Sequence, residues 1–281
     1  TLVSNESSLV STFGSPDSDN TVDFHSAAYF LRYSNSLQVV RAVSSAAKNA
    51  YDTNAGSVPT VKNRDNWDTQ LSTLATNDHT FIAKYPGDLG NNLQVKLLQA
   101  DSADATTKFD ADTTVVANFD GAPGTSTYAT GVGATSDEIH VMVVDQDGLI
   151  SGTQGEVLET FPYLSMAKNA KNADGSTNFV RDVINNASQY VWMAGKGDQG
   201  VFSDGVAFVD AVSGKEFGSN RGVKSISLIG GVNSAALGTS EYATGHDKFE
   251  DVDTIEVDML IAPGMSSRSD QTTVVNDLVA T

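Results

Sequence analysis

His79-Thr-Phe-Ile-Ala-Lys-Tyr-Pro-Gly-Asp-Leu-Gly-Asn-Asn-Leu-Gln-Val-Lys-Leu97 reads as strand, tight loop and strand. The first strand is expected over 79–84. Residues 85–92 then carry a proline, which presets φ, and glycines and asparagines, which accept positive φ. Leu93, Val95 and Leu97 alternate with Gln94 and Lys96, the period of a half-buried strand. A second pair lies downstream. Residues 139–144 form an apolar run, Asp145-Gln-Asp-Gly148 is the turn, and 156–161 is the returning strand.

Working outward, residues 22–34 read as a helix, because Phe24, Ala27, Ala28 and Leu31 share one face. Leu37-Gln-Val-Val-Arg-Ala-Val43 follows as a buried strand. Residues 44–66 lack apolar periodicity and read as a connector, after which Trp67, Leu71 and Leu74 mark a short helix. Residues 100–136 are polar and irregular, with a weak strand near 113–119. Ser176 is a candidate N-cap for a helix buried through Phe179, Val183, Ile184 and Ala187, and a strand is expected at 190–193. Residues 195–222 are a Gly/Asp-rich excursion with a candidate hairpin at 206–209, leading to a strand at 225–229.

The last stretch returns to the style of the first. Thr239 or Ser240 caps a helix running to Val252, and Tyr242 and Phe249 lie two turns apart on it. Residues 255–262 are a strongly apolar strand closed by Pro263-Gly264, and Ser269 caps a final helix with Val274, Val275 and Leu278 on one face. Strand, loop and helix make half of a parallel-sheet unit. The expected fold class is therefore α+β. Residues 1–45 and 235–281 form a discontinuous α/β part built from both chain ends. Residues 46–78 are a linker with a short helix, and residues 79–234 an inserted β-rich mixed domain with one main helix.

The chain has 281 residues, with 17 Lys and Arg against 35 Asp and Glu, a formal charge of −18. Its 40 % hydrophobic and 19 % charged content is that of a folded chain. The acidic balance argues against nucleic acid or an anionic membrane as partner through a basic face. With no cysteine there is no disulfide, thiolate metal site or cysteine nucleophile. No apolar run approaches the roughly 20 residues a membrane-spanning helix needs, and no signal peptide opens the chain. The chain starts at Thr1 without a methionine and stops in a helix-like stretch, as a fragment of something longer does.

Tests for chemistry find little. His25, His79, His140 and His246 lie far apart without metal-ligand spacing. Asp145 and Glu156 stand at the first and twelfth positions of a calcium loop, but Leu149 and Ile150 replace an oxygen ligand and the required glycine. The hairpin reading of Asp145–Gly148 therefore stands. Gly131-Val-Gly133 is a lone pair of glycines and reads as a turn. No phosphate loop or nucleophile elbow occurs, and Ser266, Ser267 and Arg268 have no base to pair with. Glu156 and Glu159 should point to opposite faces of their strand and make a poor acid/base pair. No catalytic, cofactor-binding or metal-binding residue is assigned, no cofactor is expected, and the chain reads as a non-enzyme.

Four stretches carry a resemblance. They are Leu9-Val-Ser-Thr-Phe-Gly-Ser-Pro16 with the helix Asp23–Tyr33 and the strand Leu37–Val43; Ala83-Lys-Tyr-Pro-Gly-Asp-Leu-Gly-Asn-Asn-Leu-Gln-Val95; Val157-Leu-Glu-Thr-Phe-Pro-Tyr-Leu-Ser165 followed by Asn178-Phe-Val-Arg-Asp-Val-Ile-Asn-Asn-Ala-Ser-Gln-Tyr190; and Met259-Leu-Ile-Ala-Pro-Gly264. In this order they resemble the contractile tail sheath protein of large tailed bacteriophages. The third is similar to that family's "E-x-F … Y-V … I-N-x-x-S" passage. The matches touch about half the chain. Some relatives carry a large outward insertion before the Gly-Asn loop, where residues 44–78 leave room only for a linker and one helix. The family's C-terminal region and N-terminal arm have no counterpart here.

The resemblance implies a structural virion protein. Its subunits polymerise as stacked hexameric rings around the tail tube and contract to drive the tube through the host envelope. The partners implied are neighbouring sheath subunits, and, through regions missing here, the tail tube and baseplate. No nucleic acid or membrane partner is implied, and assembly takes place in the host cytoplasm. The fragment itself is expected to be a monomer. The competing reading is a carbohydrate-binding or adhesive surface module, which needs an exposed aromatic platform. Trp67 and Trp192 are the only tryptophans, and both are expected to be buried.

Overall fold

The computed structural model describes residues 1–16, 18, 20–52, 60–76, 79–100, 105–195, 208–218, 223–234, 237–251, 253, 256–261, 265 and 267–280. In chain order its elements are β1 (Leu2–Val3), α1 (Glu6–Phe13), α2 (Thr21–Phe30), β2 (Leu37–Gln38), β3 (Asn49–Asp52), α3 (Arg64–Thr76), β4 (Phe81–Pro86), β5 (Leu93–Gln99), α4 (Ala105–Asp110), α5 (Thr113–Asn118), α6 (Thr127–Val132), β6 (Glu138–Asp145), β7 (Glu156–Ser165), α7 (Val180–Ala187), β8 (Val191–Met193), β9 (Lys224–Ile229), α8 (Thr239–His246) and α9 (Arg268–Ala280). The fold is mixed α+β. It divides into two compact units, one of residues 1–46 with 234–281, the other of residues 47–233.

The larger unit is organised by a seven-stranded sheet in the order β7-β6-β5-β9-β3-β4-β8, with antiparallel pairing throughout. Alternation along β5 and β6 explains its two apolar faces. Val95, Leu97, Ile139, Val141 and Val143 face a core shared with Ala129, Phe179, Val180 and Ile184 of the α6 and α7 regions. Leu98, Met142 and Val144 face Phe109, Val115 and Phe119, carried by α4, α5 and the residue after α5. Covering on both sides makes β6 buried nearly throughout, and β5 more buried than a half-solvated strand. Under α3, Trp67 and Leu74 pack with Ile82 and Trp192. The unit's ends meet: the Lys48 and Val232 backbones exchange hydrogen bonds of 2.9 and 3.0 Å.

In the smaller unit β1 and β2 pair antiparallel, with Leu2 opposite Gln38 and Val3 opposite Leu37. Asn5 caps α1 by accepting from the Ser8 amide at 2.8 Å, and Val3, Leu9, Phe24 and Ala28 form the core. The two ends of the chain are tied together here. Tyr242 of α8 hydrogen-bonds Asp23 of α2, and His246 of α8 lies 3.0 Å from Asp277 of α9.

Several elements differ from the sequence expectation. The strand expected at 37–43 is reduced to Leu37–Gln38, because only those residues find a partner strand. The connector at 44–66 contains β3, whose first and last residues, Asn49 and Asp52, are polar and buried: Asn49 binds Val61 and Ala83, and Asp52 the Thr80 amide. The weak strand near 113–119 is the helix α5, since Asp112 caps it by accepting from the Thr114 and Val115 amides at 2.9 and 3.2 Å. Short helices α4 and α6 also arise within 100–136. Gly131 lies inside α6, and Gly133, with φ of 80°, ends that helix in the left-handed region.

Ser176 does not cap α7. Its hydroxyl turns back to Asp174, and the helix begins after Phe179. Gly238 precedes α8, which ends at His246 rather than continuing to Val252. Ser267, not Ser269, caps α9 through the Asp270 amide at 3.1 Å. Residues 256–261 are not in a strand: no neighbouring strand is there to supply a ladder, so the expected parallel βα unit does not form among the described residues. Of the candidate hairpin at 206–209, residues 206 and 207 lie outside the described residues, and 208 and 209 are in no strand.

Candidate interaction surface

The four histidines, Asp145 and Ser267 are absorbed by local structure, Glu156 and Arg268 are exposed, and Ser266 lies outside the described residues. His25 is exposed on α2, against the rings of Phe24 and Tyr29. His79 is buried with its Nδ1 3.3 Å from Asp52, edge-on to Tyr51. His140 stacks on Phe119 at 4.3 Å and meets the Tyr163 ring edge-on. Its Nδ1 accepts from the Tyr163 amide at 3.0 Å, which makes Nε2, 2.8 Å from the Gly121 carbonyl, the protonated nitrogen. Burial holds the His140 pKa below its ordinary 6.5, and the bond to Gly121 opposes this only in part. The fold thus brings no two of these histidines into one site among the described residues, and no group of three His, Asp or Glu there could hold a metal.

The Asp145 turn is held from inside. The buried carboxylate accepts from the amides of Gly148, Ile150 and Ser151 at 3.0, 2.9 and 2.7 Å and from the Ser151 hydroxyl at 2.9 Å. Both oxygens thereby accept from the loop's own donors. Ser267 is committed in the same way: its hydroxyl donates to Asp270 while capping α9. Trp67 and Trp192 stack at 5.1 Å in the core, so neither presents an aromatic platform to solvent.

Glu156 and Glu159 part company. Glu156 is exposed at the start of β7, whereas Glu159 accepts from the Ser188 hydroxyl and the Gln189 amide, each at 2.7 Å. Beside it, Lys84 donates to the Ser188 carbonyl and lies 4.4 Å from the Trp192 ring centre. Burial lowers the Lys84 pKa, with the Glu159 carboxylate pulling the other way. Glu159, Asn185 and Ser188, spaced along the sequence as E-x-F and I-N-x-x-S, therefore converge beside the ends of β7 and β8. Sequence reasoning saw these residues as a pattern and missed that they meet.

The chain also presents apolar side chains to solvent: Leu2, Val22, Tyr29, Tyr33, Met259 and Val279 of the smaller unit and Leu149 and Val212 of the larger are each more than half exposed, Tyr33 at 93 %. Val257, Met259 and Ile261 alternate along a stretch without regular structure. No helix among the described residues is long and apolar enough to cross a membrane.

No protein-family model matches the chain. Among curated proteins, the tail sheath protein of Salmonella phage ViI is 32 % identical over 152 residues, a match that covers 54 % of this chain and 21 % of that protein. The chain thus aligns with about a fifth of the relative's length. The likeness is to a structural component of a phage tail.

Proposed function

We propose that this chain is the part of a contractile tail sheath subunit that builds the sheath wall, a virion protein and not an enzyme. The observation that carries the reading is the 32 % identity to a tail sheath protein across more than half of the chain. In this reading subunits assemble in the host cytoplasm as hexameric rings stacked around a tail tube. A stack that grows along an axis needs heterologous contacts, one patch meeting a different patch on the next copy. The exposed apolar side chains of the smaller unit suit such contacts. The larger unit, with its closed core, moves as a rigid body.

Contraction then needs no nucleotide. Its driving free energy is the difference between two sets of subunit contacts made by nearly unchanged subunits, released when a baseplate trigger lets the lattice rearrange and drive the tube into the host envelope. Neighbouring sheath subunits, the tail tube and the baseplate are the partners. By itself the chain is a monomer, and its charge of −18 keeps copies apart.

The test is electron microscopy of tailed particles labelled with gold-conjugated antibody raised against residues 47–233. Label along the whole tail wall, in extended and contracted particles alike, is the expected outcome. Label confined to tail tips or fibres, or none on tails, overturns the reading and favours an adhesive module.

A further inference from the structure

An open sheet has two edges whose unpaired amides and carbonyls invite a strand from another molecule. In the seven-stranded sheet these edges are β7 and β8. Across β4 and β8, Lys84 donates to the Tyr190 carbonyl and Ala194 to the Thr80 carbonyl, so the backbone groups of Val191 and Met193 point away from β4. Both outward amides are taken by side chains. Val191 donates to Ser188 Oγ at 3.0 Å, and Met193 to Asn185 Oδ1 at 2.7 Å. The Met193 carbonyl accepts from Asn185 Nδ2 at 3.0 Å. The Asn185 amide thus occupies the place of a neighbouring peptide group.

The C-terminal end of the β7 edge is treated alike from the other side of α7. Ser165 donates its amide to the Asn178 carbonyl at 2.8 Å, and Asn178 Nδ2 donates to the Tyr163 carbonyl at 3.0 Å. Pro162 removes one donor, and two irregularities in the β6–β7 register bend the strand. Glu159 then ties the β7 edge to Ser188 and Gln189.

We propose that α7 and its flanks form a latch, with Asn178, Glu159, Asn185 and Ser188 as its contacts, that closes both edges of this sheet against strand addition by a second copy of the chain. Contacts between copies through the larger unit are then made by side chains only, and opening the latch converts a self-contained sheet into a strand acceptor.

The test compares the full chain with Asn185→Ala/Ser188→Ala, and with Leu74→Ala as a control that loosens the core under α3 without touching an edge. Hydrogen exchange and light scattering over a concentration series are the readouts. Expected are slow exchange at Val191 and Met193 in the unaltered chain and exchange roughly tenfold or more faster there in the double variant. The double variant, but not Leu74→Ala, also forms oligomers that grow with concentration. Fast exchange at Val191 and Met193 in the unaltered chain overturns the proposal even if the double variant fails to fold. So does a double variant that stays as monomeric as the parent, or a control that oligomerises to the same extent.

Discussion

The indole of Trp67, on α3, stacks on that of Trp192, in β8, with ring centres 5.1 Å apart and planes 10° from parallel. Both side chains are buried, and Trp192 Nε1 donates to the Lys84 carbonyl at 3.2 Å. The pair fastens a helix to the far edge of the sheet, and its chemistry is that of packing.

Because these are the chain's only tryptophans, the stack has a private signature. Two coupled indoles give an exciton couplet in circular dichroism, and Trp67→Phe and Trp192→Phe should each abolish it entirely. Trp67→Ala should cost about 3–5 kcal/mol of stability, since the site is walled by Leu74 and Ile82 and cannot collapse freely. A couplet that survives either phenylalanine variant would contradict the stacking.

His140 makes stability depend on pH. Its folded pKa lies below 6.5 because burial disfavours the imidazolium, so the unfolded chain binds the extra proton first as pH falls. The contribution is therefore fully present above 6.5, declines as pH drops below that value, and levels off once the folded pKa is passed. In His140→Gln the loss of thermal stability between pH 7.5 and 5.5 should shrink. The His140 ring resonances of the folded chain should stay those of the Nε2-protonated tautomer as pH falls through 6.5.

Strands β4 to β7 were legible because their signals are local and agree with one another: short apolar runs, alternating in β5 and continuous in β6, bounded by Gly, Asn and Asp turns. Helices α4, α5 and α6 were not, since a one- or two-turn helix offers too few residues for a 3.6 period. Only the caps, Asp112 and Ser126, announce two of them. Residues 256–261 show the opposite error, a strand pattern with no strand beside it among the described residues. As for the surface, Asn185, in the last turn of α7, and Ser188, just after it, could be read as polar residues of a helix end. Their service to the β8 edge depends on a register that no short-range spacing encodes.

Gly90 lies in the tight loop between β4 and β5. A Cβ there would stand 2.8 Å from Ala83 Cβ and 3.0 Å from Ala50 Cβ, both on rigid strands. Gly90→Ala should destabilise the larger unit by about 1–3 kcal/mol through overpacking. Gly90→Ala combined with Ala83→Gly should recover much of that in a denaturant titration.

At Asp145, burial alone would raise the carboxyl pKa, but the hydrogen bonds from Ser151, Ile150 and Gly148 outweigh it and leave the pKa below 3.8. The ionised form is therefore the stabilising one. Its contribution is present above 3.8 and is lost as pH falls through the lower folded value. Asp145→Ala should cost about 2–3 kcal/mol at neutral pH by orphaning those donors. Millimolar calcium should leave the unfolding midpoint of the parent chain unmoved, and a clear upward shift would restore the cation-loop reading of this turn.

The meeting of Lys48 and Val232 bears on how the larger unit folds. Their backbones exchange two hydrogen bonds, so residues 47–233 leave the unit side by side, and every strand of the seven-stranded sheet lies between those ends. A segment whose core, sheet and closing contacts are all internal needs nothing from the residues outside it to pay for its chain entropy. Expressed alone, residues 47–233 should therefore unfold in one cooperative transition within a few degrees of the corresponding transition in the whole chain, and should keep the tryptophan couplet. A noncooperative melt, or a couplet that appears only when residues 1–46 and 234–281 are present, would mean that this sheet is completed from outside and that the Lys48–Val232 bridge is not the true seam of the fold.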